Sequence, residues 1–224
     1  MTLEELKNLF TIKGTTTKKI EKEFEEIAKA LFNEFAIKTD GNTYLFKDIE
    51  FYYYSKNHKD IITHPRNSKP LSWYINDFGG IDLNFASHIK LVDDSPISKY
   101  ILDDEAYFGG ILIRELISED EKIKLNSPLK VAELFRKFDA GEYDKSYPQI
   151  VAYSFQQTFD YHQERRRNLT KNNNETPDHE TVAKKVNNIL YVYDKGNIHQ
   201  TDVNNLEKSF RDFVELPYRF YRKN

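Results

Sequence analysis

The stretch N-T-Y-L-F-K-D-I-E-F-Y-Y-Y-S-K-N-H-K-D-I-I-T-H, from Asn42 to His64, is the part around which the rest of the chain is organised. Its first half predicts a long strand, because β-branched and aromatic residues follow a D-G-N turn signal at Asp40–Asn42. Alternate residues of a strand share a face, so we expect Glu50, Tyr52 and Tyr54 to point the same way. A carboxylate beside two phenols suits a surface that holds a flat ligand and activates a water. An exposed strand face with ordinary polar residues explains the pattern equally well.

Length and composition are typical of a soluble globular protein. The chain has 224 residues, of which 39% are hydrophobic and 31% charged, enough for one well-packed core. No run approaches the roughly eighteen apolar residues of a membrane span, and the first residues lack the pattern of a secretory signal. The absence of cysteine excludes disulfides and thiolate metal sites and fits a cytoplasmic protein. With a net charge of −3, any nucleic-acid contact has to come from a local basic patch.

Hydrophobic spacing predicts the elements around the opening strand. Apolar residues recur at helical intervals from Lys18 to Phe35, and Leu3 to Phe10 has the pattern of a shorter helix. Leu71 to Phe85 predicts two short strands around a Gly79-Gly80 turn, with Asp82 and Asn84 on the face opposite Ile81, Leu83 and Phe85. Tyr107 to Ile117 is the most apolar run and predicts a central strand.

The remaining segments are polar loops and shorter elements. Lys56–Pro70 and Ser87–Glu105 read as loops, and Ser127-Pro128 starts a helix that runs to about Phe138. Ser154–Asn168 is expected to be helical. After it we expect a polar linker over Lys171–Asp178, a helix over His179–Asn188, a hairpin around Asp194–Gly196, a helix over Leu206–Phe213 and a strand over Pro217–Arg222.

Arg114 interrupts the apolar run from Tyr107 to Ile117. A guanidinium inside such a strand needs a carboxylate or a ligand, because burying it unpaired is prohibitive. A structural salt bridge is the default interpretation, and an arginine that faces Glu50 across a site is the more specific one. His58, Asp60 and His64 are conceivable metal ligands, but no cysteine and no helix fixes their spacing, so a metal site is not favoured.

The order of several short motifs resembles that of the alkyladenine (3-methyladenine) DNA glycosylase family. These motifs are Glu50-Phe51-Tyr52, His64 in T-H-P-R-N, Tyr74 ten residues before Asn84, Arg114 in L-I-R-E-L, Ser127-Pro128-Leu129-Lys130 and Tyr218-Arg219-Phe220-Tyr221. The resemblance spans roughly Tyr44 to Arg222. It implies an α+β fold with a mixed, mainly antiparallel sheet and flanking helices, closed into the barrel of that family and of formyltransferase C-terminal domains.

The resemblance also implies a monofunctional DNA glycosylase of base-excision repair, a hydrolase that cleaves the N-glycosidic bond of a flipped, damaged or modified purine. Glu50 is the implied general base on a water that attacks the sugar C1′, and Arg114 is implied to position that water. The implied substrate-binding residues are Tyr52, His64 and Tyr74 as pocket walls and Asn84 as the floor. The candidates for DNA contact are Arg66, Lys69, Arg165, Arg166 and Arg167, with Phe78 as the wedge. The implied chemistry needs no metal and no organic cofactor.

We expect a single, monomeric domain over 1–224, with helices in 1–38, a glycosylase-like core in 42–138 and a helical extension with a closing strand in 143–224. Several departures from the family leave the DNA partner open. Asp77 stands where the family has its wedging tyrosine, an insertion of about 87–108 separates Asn84 from Arg114, and the overall charge is acidic. The alternative is a nucleic-acid-binding, nucleoside-binding or protein-interaction module that keeps the fold without duplex-DNA activity. A third alternative is a hydrolase whose substrate is single-stranded or a free nucleoside.

Overall fold

The computed structural model describes residues 1–39, 41–76, 79–92, 99–136, 147–167, 169, 179–190 and 200–223. In chain order, the helices and strands in these ranges are α1 (Leu3–Leu9), α2 (Thr17–Glu34), β1 (Phe35–Thr39), β2 (Asn42–Ser55), β3 (His58–Lys59), β4 (Trp73–Ile75), β5 (Ile81–Asn84), β6 (Lys90–Leu91), β7 (Tyr100–Ile101), β8 (Tyr107–Ser118), β9 (Lys124–Leu125), α3 (Pro128–Ala132), β10 (Gln149–Ala152), β11 (Tyr161–Glu164), α4 (His179–Leu190), α5 (Gln200–Val214) and β12 (Arg219–Arg222).

The two longest strands, β2 and β8, pair along most of their length at the centre of the main sheet. The strands of this sheet follow the order β10-β1-β2-β8-β5-β4, and β12 pairs with β2 at Asp48–Glu50. The described strand pairs are antiparallel, and the sheet curls into a half-barrel. The predicted α+β class with a mainly antiparallel sheet is therefore confirmed, as are the long strand from Asn42 and the central strand from Tyr107.

The helices α1 and α2 cover one face of the sheet. Thr16 caps α2, and its side-chain oxygen accepts a hydrogen bond from the main-chain nitrogen of Lys19. The apolar side of α2 is buried, and the Phe24 ring stacks on the Phe51 ring of β2 at 4.6 Å. Both predicted N-terminal helices are confirmed, although Phe35 already belongs to β1. In the described part of the chain, no helix is long and apolar enough to cross a bilayer.

The opposite face of the sheet is covered at one end by α4 and α5. There the Tyr54 ring of β2 stacks on the Phe108 ring of β8 at 5.1 Å. The buried helix residues of this second cluster are Val182, Val186, Leu206, Phe210 and Val214. The predicted helices over His179–Asn188 and Leu206–Phe213 are confirmed, and both extend further than predicted.

Trp73 links the two ends of the curled sheet. Its indole nitrogen donates a hydrogen bond of 3.0 Å to the carbonyl of Pro148, the residue that precedes β10. Since β4 and β10 are the outermost strands of the sheet order, this contact joins regions that an open sheet would hold far apart. The ring of Phe135 packs edge-on against Trp73 at 4.8 Å and closes this region.

The predicted helix over Ser154–Asn168 is wrong. Residues 153–160 are irregular, and β11 follows and pairs with β12. Phe155 and Phe159 have the four-residue spacing of a helix face, but their rings instead flank the guanidinium of Arg222. The ladder formed with β12, a pairing partner distant in sequence, decides the conformation here, which local spacing cannot predict.

Other predictions are met in part. The helix that begins after Ser127 is short, because α3 gives way to a 3₁₀ turn at Glu133–Phe135. The expected loop at Ser87–Glu105 contains β6 and β7, which pair with each other. The turn residue Asp40, the linker Lys171–Asp178 and the hairpin around Asp194–Gly196 lie outside the described residues.

Candidate functional site

Strand β2 has an apolar face and a polar face. Its core-facing residues are Ile49, Phe51 and Tyr53, and its polar residues on the other side are Asp48, Glu50 and Tyr52. The prediction that Glu50 and Tyr52 share a face is confirmed, because the Tyr52 hydroxyl donates a 2.9 Å hydrogen bond to Glu50 Oε2. This polar face extends beyond β2.

Strand register places the other candidate residues on the same face. Glu50 is opposite Leu112 of β8, Leu112 is opposite Asp82 of β5, and Asp82 is opposite Tyr74 of β4. Residues directly opposite each other in an antiparallel pair project to the same side of the sheet. The next row contains Tyr52, Gly110 and Asn84. Side chains from four strands therefore meet on one polar surface.

Glu50 is fully buried and is bound by three donors. Its Oε2 accepts from Tyr52 and from Arg114 Nη1 at 3.1 Å, and its Oε1 accepts from the main-chain nitrogen of Arg167 at 2.7 Å. Arg114 is 8% exposed. The two predicted catalytic residues therefore form a direct ion pair. Because both groups are buried, their electrostatic interaction is stronger than the same contact would be in water.

Tyr52 acts as a hydrogen-bond donor to Glu50. Burial, followed by the charge of Glu50, raises the pKa of the Tyr52 hydroxyl well above its usual value of 10. The phenol is therefore protonated at neutral pH. Its ring also faces the Arg166 guanidinium at 4.7 Å, which fixes the orientation of the side chain.

Arg165 to Arg167, hereafter the Arg165–Arg167 segment, cross the polar face directly after β11. Arg166 is buried, and its guanidinium binds both carboxylate oxygens of Asp60, at 2.6 Å and 3.2 Å. It also donates to the main-chain carbonyls of Phe51 and Phe213. Arg166, which was predicted to contact DNA, therefore forms an internal ion pair, and its side chain has no access to a phosphate backbone.

Arg66 is likewise buried. Its Nη1 donates to Asp82 Oδ2 at 2.7 Å and to Asn84 Oδ1 at 3.0 Å, and its guanidinium lies 4.1 Å from the centre of the Tyr74 ring. Its Nε donates to the main-chain carbonyl of His64. Four residues predicted for the site and its DNA contacts (Arg66, His64, Tyr74 and Asn84) therefore form one connected group, in which Arg66 binds the others instead of phosphate.

The remaining predicted DNA contacts differ in exposure. Lys69 and Arg167 are exposed, and Arg165 pairs with Glu215 at 3.0 Å near the surface. Phe78 and Asp77, the two residues considered for the wedge, lie outside the described residues. Of the five basic residues predicted to contact DNA, Lys69 and Arg167 alone are therefore well exposed.

Sequence reasoning did not identify the Asp48–Arg219 pair, which lies beside Glu50. Arg219 Nε contacts both oxygens of Asp48 at 3.0 Å, and Nη1 contacts Glu164 at 2.7 Å. Burial raises the pKa of the Asp48 carboxyl to about 6, although the bonds from Arg219 oppose this. The alternation Asp48, Glu50, Tyr52 along β2 was the available signal, because it already placed both carboxylates on one face.

His58, weighed as a metal ligand, is instead buried among aromatic rings. Its ring lies 4.7 Å from that of Phe213 and 5.6 Å from that of Tyr218, and its Nδ1 is 3.3 Å from Thr17 Oγ1. Burial, and then the charge of Arg166, lowers the pKa of the His58 imidazole to about 3. Among the described residues, no group of three metal-ligating side chains is placed to hold a metal ion.

The neutral His58 makes stability depend on pH. An unfolded histidine titrates near 6.5, so below that pH the unfolded chain binds a proton that the folded chain refuses. We therefore expect the free energy of unfolding to fall on acidification, with ~2 kcal/mol attributable to His58 by about pH 4.5. Urea unfolding of the native protein and of His58→Phe between pH 7 and pH 4.5 measures this difference. If the free energy of unfolding depends on pH equally in the two proteins, the role of His58 is contradicted. Asp48, whose raised pKa stabilises the folded protein on acidification, is present in both proteins, so its contribution cancels in the comparison.

Two surface clefts lie away from Glu50. One, of about 340 Å³, is lined by residues that include Lys29, Asn33 and Tyr161, and the other, of about 600 Å³, by residues that include Lys38 and Ser118. Neither contains a residue predicted for the site. Within the described residues, the candidate site is a largely buried polar cluster whose half-buried members include Tyr52, Leu112 and Tyr74.

Comparisons with known proteins identify no relative: no family model, no curated protein and no solved structure matches the chain.

Proposed function

We propose that the protein is an N-glycoside hydrolase of the alkyladenine DNA glycosylase type, which removes a flipped, damaged or modified purine. The observation that carries the proposal is the direct contact of Glu50 with Arg114 and Tyr52, on the face that also holds Tyr74 and Asn84. These residues come from four different strands, and the resemblance named each of them. A buried carboxyl group in contact with a cation is also an arrangement that acid–base chemistry uses.

In the proposed reaction, Glu50 takes a proton from a water while the water oxygen bonds to the sugar C1′. The C1′–N bond breaks, and its electron pair leaves with the purine. An alkylated purine already carries positive charge, so it departs as a neutral base without a separate acid. Arg114 holds the water and the carboxylate in place, and its charge is fixed throughout.

The proposed approach to Glu50 passes half-buried residues of the polar face, which include Tyr52, Leu112 and Tyr74. Gly110 lies between Tyr52 and Asn84 in the sheet register, and the space above it is occupied, because a Cβ there would lie 2.7 Å from the main-chain oxygen of Leu83. A flat base is therefore expected to stack on the Tyr52 ring, since ring stacking is the usual way to hold a flipped base. The Tyr52 hydroxyl has to release Glu50 Oε2 for a water to bind there.

A second candidate is a binding or interaction module in which Glu50 and Arg114 form only a structural ion pair. It is favoured by the complete burial of Glu50 and by the hydrogen bonds to both of its oxygens. Burial of Arg66 and Arg166 further supports a partner other than duplex DNA. In that case the buried ion pair helps to specify the folded structure, and the protein catalyses no reaction at the polar face.

An assay of base release separates these candidates. The protein is incubated with alkylated duplex DNA, with the same strand as single-stranded DNA and with alkylated purine nucleosides, and free base is quantified by chromatography. Because Arg66 and Arg166 are buried and cannot contact phosphate, we expect release from single-stranded DNA or nucleosides to equal or exceed release from the duplex. Release from none of the three substrates would refute the hydrolase proposal and leave the binding module.

A further inference from the structure

The three donors to Glu50 differ in origin. Tyr52 and Arg114 belong to β2 and β8, the paired central strands, so the sheet itself fixes them. The Arg167 main-chain nitrogen comes from the Arg165–Arg167 segment, 117 residues away in the sequence, and reaches Glu50 Oε1 at 2.7 Å. A bond this short to a carboxylate is charge-assisted and stronger than a neutral one. It is the one donor of the three that comes from outside the paired strands β2 and β8.

Arg166 anchors the segment that carries this donor. Its guanidinium makes four hydrogen bonds, two to Asp60 and one each to the carbonyls of Phe51 and Phe213, and it lies over the Tyr52 ring. The bond to Phe51 attaches the segment to β2 one residue after Glu50. Arg166 therefore determines the position of the following peptide nitrogen and the orientation of Tyr52, so it acts on two of the three donors.

Arg165 does not share this role. Its guanidinium pairs with Glu215 near the surface, where the two side chains are 24% and 46% exposed. Surface ion pairs of this kind contribute little to stability or geometry. Arg165 and Arg166 can therefore be compared directly, because one arginine of the segment forms a surface ion pair and its neighbour forms a buried one.

We propose that Arg166 is a positioning residue for Glu50: through its contacts with Asp60, Phe51 and Phe213 it holds the Arg167 N–H on Glu50 Oε1. The proposal rests on the proposed function, in which Glu50 is the general base. The Arg167 N–H fixes Oε1, which leaves Oε2 to receive the proton of the attacking water. Losing this donor lets the carboxylate turn away from the water, so the chemical step is expected to slow while substrate binding is retained.

The test compares Arg166→Lys with Glu215→Gln, each assayed for kcat and KM on the substrate from which the native protein releases base fastest. Lysine keeps the charge but cannot make the forked contacts. We expect Arg166→Lys to lower kcat by about 10- to 100-fold with KM within threefold, because a misplaced carboxylate slows the chemical step and not binding. Glu215→Gln is expected to keep both constants within threefold. Native kcat in a folded Arg166→Lys protein would overturn the proposal.

A second measurement needs no activity. In a nuclear magnetic resonance spectrum of the native protein, the Arg167 amide is expected to exchange slowly with solvent and to resonate downfield, as a short bond to a carboxylate requires. In Arg166→Lys this signal should move upfield and exchange at least tenfold faster. An Arg167 amide that exchanges freely in the native protein overturns the inference. Absence of base release with a protected Arg167 amide counts against the proposed function alone.

Discussion

Replacement of Glu50 by glutamine is expected to lower the rate of base release by about 10²- to 10⁴-fold, the usual contribution of a general base. Glutamine has nearly the same shape and still accepts a hydrogen bond, but it cannot take a proton from water. The variant also leaves the buried Arg114 without its counter-charge, so stability is expected to fall as well. Base release is therefore measured at a temperature at which circular dichroism shows the variant to be folded.

Asp48→Asn is the matched control for this experiment. Asp48 lies two residues before Glu50 on the same face of β2 and is paired with the buried Arg219. Like Glu50→Gln, this replacement removes one buried carboxyl group, but it leaves the three hydrogen-bond donors to Glu50 in place. Asp48→Asn should lose stability yet release base at a rate within a few fold of the native protein. Undiminished release by Glu50→Gln contradicts the assignment of Glu50 as the base, whatever the control does.

Replacement of Asp60 by asparagine is expected to cost about 3–5 kcal/mol in the free energy of unfolding, the largest stability effect that we expect on the polar face. Both side chains of the Asp60–Arg166 pair are fully buried, so the variant leaves a guanidinium in the interior with no carboxylate in contact. The loss is larger than the strength of the bond itself, because the remaining charge cannot reach water. Urea unfolding monitored by circular dichroism gives the change in midpoint and slope.

Glu215→Gln provides the comparison within the same segment. It removes the same type of charge from the partner of Arg165, the residue directly before Arg166. Since this pair is partly exposed, the expected loss is about 0–1 kcal/mol. Similar losses in the free energy of unfolding for Asp60→Asn and Glu215→Gln would contradict this prediction, because they would mean that the Asp60–Arg166 pair is hydrated in solution.

The central strands of the fold were predictable because their composition is typical of strands. β2 is rich in aromatic and β-branched residues after a turn signal, with Asp48, Glu50 and Tyr52 alternating with Ile49 and Phe51, and β8 is a long apolar run interrupted by a single cation. These two facts were enough to predict that Glu50 and Arg114 could meet, which is the contact that the structure contains. A helix-like spacing of aromatic residues misled the prediction at β11, where pairing with β12 decides.

The internal roles of Arg66 and Arg166 could not be predicted from the sequence. Arginine is most often exposed, so a basic residue in a polar loop is reasonably assigned to the surface. Its burial depends on a carboxylate that the fold supplies from elsewhere: Asp82 for Arg66, and Asp60 for Arg166. No local pattern encodes these partnerships, because the members are 16 and 106 residues apart.

The spacing of the pairs also limits when the protein can fold during its synthesis. Asp48 is made 171 residues before Arg219, and Asp60 is made 106 residues before Arg166. While a ribosome is still extending the nascent chain, these early carboxylates have no countercharge and have to stay hydrated, so the half-barrel cannot close around them. Until β12 is translated, the edge of β2 that pairs with it at Asp48–Glu50 is open to solvent and to other chains, and a chaperone that covers unpaired strand edges would have its greatest effect in this interval.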